Sequence, residues 1–417
     1  MLTYSGSIRL TTFVLCAAQL CVTVPARAAI TSLWPAVDPF DRCLNGVRES
    51  RRARRITAAT WSTLRGVRPD SSVLAQLDAQ PEFTLPVWDY VAVMADDERV
   101  RDGLQQLATH RVIFDSVARR FHVDAETVAA VWGIESNFGR DVGTLPVLRS
   151  LATLSCAGRR QKYFRGELIS ALQIVQAGHI APQRFLGSWA GAFGQTQFMP
   201  GVFWWRAVDY DGDGRRDLMD NTGDALASTA NYLHQAGWVA GMPWGIEVRI
   251  PAGDSAAAFL RGEGRRIRRP LREWMARGVA RILGAPLAAT SRDSAMQAGL
   301  FTPAGAAGPA FLVTANFSAI FSYNAAESYA LAIAHLSDRL RGGSEFQRPW
   351  PTDDPGLSRA ERRELQTLLT GRGYAIGAVD GLLAPATRAA VRTEQVRLGH
   401  PATGRPGQRL LAALRAK

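Results

Sequence analysis

Lysine is almost absent from this chain: of 49 basic residues, only Lys162 and Lys417 are not arginine. The arginines are spread along the whole length, so there is no basic arm of the kind that grips a polyanion by charge alone. A formal net charge of +12 still favours an anionic partner through long-range attraction. No nucleic-acid recognition motif accompanies that charge, and nucleic acid is therefore not the expected partner. Six histidines and four cysteines show no zinc-ligand spacing. Long apolar runs are missing beyond the first 28 residues, which excludes a later spanning helix of about 20 apolar residues. With 47% hydrophobic and 21% charged residues over 417 positions, the chain can bury a full-sized core plus a smaller second unit.

The beginning of the chain reads as an export leader. Arg9 supplies a basic n-region, residues 10–24 an apolar stretch, and Ala26-Arg27-Ala28 a small-x-small cleavage site, so residues 1–28 are expected to be removed. Neither Cys16 nor Cys21 sits in a lipobox. The mature chain then keeps Cys43 and Cys156 in a compartment where disulfides persist; they are the disulfide candidate, with two separate buried thiols as the alternative.

Apolar residues recur at three- and four-residue spacing from about Pro39 to Asp141, as in Phe114, Val117, Ala118 and Phe121. A helix carrying Val128, Val131, Trp132 and Ile134 starts after Asp124, a fitting N-cap, and ends near Gly139. Further helices are predicted over 164–176, 225–236 and 328–340. Residues 247–250 and 311–314 read instead as short strands of a small β-containing insert. The aperiodic, Gly- and Pro-bearing stretch 341–356 marks a linker, and three short helices with Gly-rich turns follow in 357–417. The expected fold class is mainly α (α+β), with a main domain over 29–340 that carries the small β-containing insert and a small three-helix domain at the end.

Three groups of residues point to chemistry. Glu135 closes the apolar helix in Trp132-Gly-Ile-Glu135-Ser136-Asn137-Phe138; an acid in such surroundings resists ionisation and suits a proton donor. Glu167, in a helical Phe-Arg-Gly-Glu-Leu run, is the rival carboxylate and reads as structural. The segment from Ser188 to Gly201 combines glycines, aromatics and the amides of Gln195 and Gln197, a composition suited to a sugar cleft as much as to a packed turn. Asp209, Asp211 and Asp213 take positions one, three and five of an EF-type loop, with Gly214 at six and the Arg215 carbonyl at seven. A structural calcium ion is thus the candidate cofactor, and no organic cofactor is expected. Position twelve holds Asp220 where a glutamate is usual.

Glu135-Ser136, Gly191-Ala-Phe-Gly-Gln-Thr-Gln-Phe-Met-Pro, Asp209-Tyr-Asp-Gly-Asp-Gly and Ala230-Asn-Tyr-Leu-His-Gln-Ala-Gly-Trp stand in an order and spacing that resembles the membrane-bound lytic murein transglycosylase B family, over roughly residues 38–340. The resemblance implies a lysozyme-like fold and cleavage of the bond between N-acetylmuramic acid and N-acetylglucosamine, with a 1,6-anhydromuramoyl end. It implies Glu135 as the single acid/base, Ser188, Gln197, Tyr323 and Asn324 as substrate contacts, and Asp224 as the residue completing the metal site. The tail, with Leu365-Gln366, Gly373-Tyr374, Asp380-Gly381 and Thr387 before Ala390-Val391, resembles the type 1 peptidoglycan-binding domain, with Glu394 in place of the usual aromatic. Together these imply a monomeric enzyme working on peptidoglycan glycan strands in the periplasm of a Gram-negative bacterium. A hydrolase of the same bond and a non-catalytic wall-binding protein are the alternatives.

Overall fold

The structure, a computed structural model, describes residues 38–77, 85–251, 259–288 and 290–416; the expected leader lies outside them. At the centre is the helix Ala125–Ser136, where Val128, Ala129, Ala130 and Val131 are all fully buried. Its near-uniform apolarity follows from being covered on every side, by helices Asp97–Thr109, Arg111–Phe121, Thr222–Gln235 and Glu327–Leu340. Burying each such valine contributes about 1.5–3 kcal/mol relative to exposure. Asp124 stands at the N-cap, yet its carboxylate makes no cap bond; it accepts from Arg341 Nη2 at 2.9 Å. The helix also stops at Ser136, short of Gly139, because Asn137, Phe138 and Gly139 adopt φ of 50°, 58° and 80° and turn the chain away.

A second apolar cluster joins helices Val147–Cys156 and Gln161–Gln176 to helix Pro39–Glu49, which buries Phe40, Leu44 and Val47. Cys43 and Cys156 link these helices with an S–S distance of 2.08 Å and a Cα separation of 5.8 Å.

The β region is a five-stranded antiparallel sheet in the spatial order Arg268–Pro270, Gln297–Phe301, Ala310–Val313, Gly245–Arg249, Ala280–Arg281. Strand Ala310–Val313 is an unbroken apolar run because both its faces are covered. Phe311 and Val313 join the helical core, while Ala310 and Leu312 pack on the opposite side with Trp274.

Three helices, Arg359–Gly371, Pro385–Arg397 and Gln408–Arg415, enclose a separate core of Leu365, Leu369, Val391, Leu410 and Leu411. Gln366 explains its Leu-Gln and Asp-Gly marks: Oε1 accepts from Gly381 N at 2.6 Å, and Nε2 donates to Asp380 Oδ1 and to the carbonyls of Ala378 and Leu382. Glu394, buried where an aromatic is usual, is satisfied by Tyr374 Oη at 2.8 Å and by Arg397. The module does not hang on a free tether. Arg405 grips buried Asp89 with two bonds of 2.6 and 2.8 Å, and Arg363 reaches Glu98. The aperiodic segment before it is pinned as well, with Gln347 N and Arg348 N donating to the Glu247 carboxylate at 2.9 Å.

Candidate active site

Glu135 sits half-buried in the last turn of the central helix. Tyr329, from the helix Glu327–Leu340, donates its hydroxyl to Glu135 Oε1. Burial, and next the adjacent Glu135 charge, push the Tyr329 and Tyr323 phenols well above their ordinary range, so both remain protonated donors. Tyr323 donates to Thr196 O at 2.8 Å, and its ring lies 4.6 Å from that of Tyr232 and 5.7 Å from that of Phe198. Asn324 follows directly, at the end of helix Ala315–Tyr323.

The loop 188–201 is anchored to the end of the Glu135 helix. Ser136 Oγ donates to Gln195 O at 2.7 Å and accepts from Gly139 N at 3.0 Å. Gln195 is buried, its Oε1 taking Trp132 Nε1 at 3.1 Å and its Nε2 donating to Met219 O. Its amide therefore serves the scaffold and is not offered to a sugar. Gly194 has φ 71°, and a Cβ there would stand 2.5 Å from Leu218 O, so this crossing requires glycine. Ser188 closes a tight turn, with N donating to Ala192 O and Oγ accepting from Ala192 N. Gln197, at φ 51°, points Nε2 to the carbonyls of Val142 and Gly194. Glu135, Tyr323 and the 188–201 loop are thus brought together through Tyr329, Ser136 and Gln195. Ser136 and Gln195 belong to the same sequence motifs, but nothing in their spacing distinguishes a scaffold bond from a ligand bond.

Glu167 is spent elsewhere: Oε2 accepts Gly201 N at 2.7 Å, in the first turn of helix Pro200–Arg206. Burial raises its carboxyl above the usual range, opposed by that amide.

Asp209, Asp211 and Asp213 each present a carboxylate oxygen within 4.8 Å of the others. Asp209 also accepts from Gly212 N and Gly214 N, and Asp213 from Arg215 N, which folds the loop around the acids. All-oxygen donors at this spacing fit a hard cation. Asp224 is fully buried beneath them, its two oxygens accepting Tyr210 N at 2.8 Å and Asp217 N at 2.6 Å, so it braces the two ends of the loop. Asp220 is drawn outward to Arg184 at 2.7 Å.

A half-buried carboxylate at the end of a buried helix, beside protonated tyrosines and an amide-bearing loop, is a group that can give and take a proton among hydrogen-bonding side chains. Residues 39–338 match the transglycosylase SLT domain model, and residues 358–414 match a peptidoglycan-binding domain model. The chain belongs to the transglycosylase SLT domain family. It is 46% identical to SltB3 from Pseudomonas aeruginosa, solved in complex with NAG-anhNAM-pentapeptide, at a TM-score of 0.71 over 90% of this chain and 99% of that one. The Escherichia coli transglycosylase Slt35, solved with calcium, is 26% identical, with a TM-score of 0.60 over 73% of this chain and 92% of that one. Membrane-bound lytic murein transglycosylase B of Escherichia coli K12 is 41% identical over 122 residues, a stretch that is 29% of this chain and spans 34% of that relative's length. Among the described residues no helix is long and apolar enough to cross a membrane.

Proposed function

We propose that the protein cuts the β-1,4 bond between N-acetylmuramic acid and N-acetylglucosamine in peptidoglycan without water, leaving a 1,6-anhydromuramoyl end. The observation that carries this reading is Glu135 at the end of its helix, held by Tyr329, with Glu167 committed to a backbone amide. In the first half, the Glu135 carboxyl gives its proton to the glycosidic oxygen as the bond from that oxygen to C1 of the muramic acid breaks. In the second, the C6 hydroxyl oxygen of the same sugar bonds to C1, and the Glu135 carboxylate takes the hydroxyl proton, restoring the acid. One carboxyl serves both steps, so the second carboxylate of a hydrolytic pair is unnecessary. Ser188, Gln197, Tyr323 and Asn324 line the cleft as substrate contacts in this reading.

Three accessory parts complete it. Asp209, Asp211, Asp213 and the Arg215 carbonyl would hold a structural calcium ion, whose two positive charges would offset most of the repulsion among the three clustered carboxylates and stiffen the loop leading into helix Thr222–Gln235. The C-terminal module binds the wall. Export through the 1–28 leader delivers the enzyme to the periplasm.

The test is mass spectrometry of muropeptides released from purified sacculi by wild type and Glu135→Gln. Anhydro products from wild type that vanish in the variant are expected, at a cost of at least about 100-fold in rate. Reducing ends would make the enzyme a hydrolase, and no release by wild type would leave only a wall-binding role.

A further inference from the structure

The geometry points to Arg359, in the C-terminal module, as a positioning residue for Glu135, an inference that rests on the acid/base role proposed above. The turn that ends the Glu135 helix is costly, since Asn137 and Phe138 both occupy the left-handed region, with φ of 50° and 58°. Such a turn persists only where its surroundings hold it. Arg359 Nη1 donates to Asn137 Oδ1 at 3.1 Å, two residues beyond Glu135. The same guanidinium lies against Asp96, with Nε at 3.2 Å and the Arg359 backbone N at 2.9 Å from Oδ2. Asp96 in turn caps helix Asp97–Thr109 through Arg99 N at 2.9 Å, and Arg99 Nη1 donates to Gly133 O inside the last turn of the Glu135 helix.

Asp96 and Arg359 have side chains only 3% and 13% exposed, so this is a closed junction and not a surface pair. A planar fork can serve a carboxylate on one edge and an amide oxygen with another nitrogen; a lysine ammonium cannot span both. Arg405 and Arg363 reach Asp89 and Glu98 on the neighbouring helices, whereas Arg359 touches the turn that follows the acid. The module therefore does more than hold the wall: through Arg359 it fixes the direction in which Glu135 leaves its helix. Small displacements of a proton donor relative to its acceptor cost rate and not binding.

The experiment uses the full chain and measures kcat and KM on soluble glycan strands, binding to sacculi, and melting temperature. Arg359→Lys keeps a charge beside Asp96 but gives up Asn137, and kcat should fall about tenfold with KM and sacculus binding within about twofold of wild type. Asn137→Gly accepts the positive φ while deleting the acceptor and should lose the same factor; Asn137→Asp keeps an acceptor and should restore most of it. The double variant Arg359→Lys/Asn137→Gly should be no slower than either single variant. Arg363→Met, which weakens docking elsewhere, should leave kcat unchanged. Additive losses in the double variant, unchanged kcat in both single variants, or a loss confined to KM and wall binding would overturn the inference. If Arg359→Lys does not fold, the contrast of Asn137→Gly with Asn137→Asp decides it. An inactive wild type would remove the acid/base reading itself, whereas an active wild type with unaffected variants removes only the positioning role.

Discussion

Replacing Cys43 and Cys156 together by serine removes the covalent tie between helices Pro39–Glu49 and Val147–Cys156. The bonded residues are 113 positions apart. Closing a loop of that length takes about 16 cal/mol/K from the unfolded chain, so the tie contributes about 5 kcal/mol at 25 °C. The buried contacts of Phe40, Leu44 and Val47 survive the substitution, which leaves chain entropy as the main loss. Spread over a catalytic body of about 300 residues, with about 2.1 cal/mol/K of unfolding entropy per residue, the loss corresponds to about 8 °C in melting temperature. Calorimetric melts of wild type and of the Cys43→Ser/Cys156→Ser protein, with and without reductant, give the comparison. Oxidised wild type should melt about 8 °C above the variant, and reductant should erase the difference by lowering wild type alone. A variant within about 2 °C of oxidised wild type would refute the loop-entropy argument.

Calcium at 100 times its dissociation constant should stabilise wild type by about 2.7 kcal/mol, and Asp213→Ala should abolish that gain; equal stabilisation of both by differential scanning would dismiss the loop as a metal site. Burial first, and Arg339 next, lower the His335 pKa to about 4, so the native state keeps the ring neutral while the unfolded chain takes up a proton below about 6.5. The unfolded state therefore binds more protons in that window, and stability is complete above about 6.5 and falls by about 3 kcal/mol as pH drops to 4. Urea unfolding at several pH values should show this slope in wild type and a shallower one in His335→Leu; identical slopes would place the acid sensitivity elsewhere.

Much of the architecture was legible because burial repeats at a fixed period. Val128, Val131 and Trp132 announce a buried helix, and the alternation near 247 and the apolar run near 311 announce strands, whatever lies opposite them. The three terminal helices were legible for the same reason, from Leu365, Leu369, Val391 and Leu411. Less legible was whatever depends on a choice between partners. Asp124 could cap its own helix or take Arg341, and the guanidinium, 217 residues away, wins. The stretch 341–356 has no period, as a linker would, yet Glu247 holds it from 100 positions upstream. Aperiodicity reports only that a segment lacks helix or strand spacing, and says nothing of how firmly it is held.

The site shows the same division more sharply. Glu135 and Glu167 both stand on helices among apolar neighbours, and their local patterns do not separate a proton donor from a structural acid. What separates them is the group each one faces. Glu167 meets Gly201 N at the start of a helix opened by Pro200, where a carboxylate is held by an amide and the helix end. Glu135 meets the hydroxyl of a tyrosine 194 residues later in the chain, on a helix that is itself buried, a side-chain donor in place of a backbone amide. Gln195 and Gln197 divide likewise, one amide locked between Trp132 and Met219, the other bound to carbonyls through its nitrogen. Residue type tells which chemistry a side chain can perform; the long-range partner decides whether that capacity is consumed by the scaffold or left for a substrate.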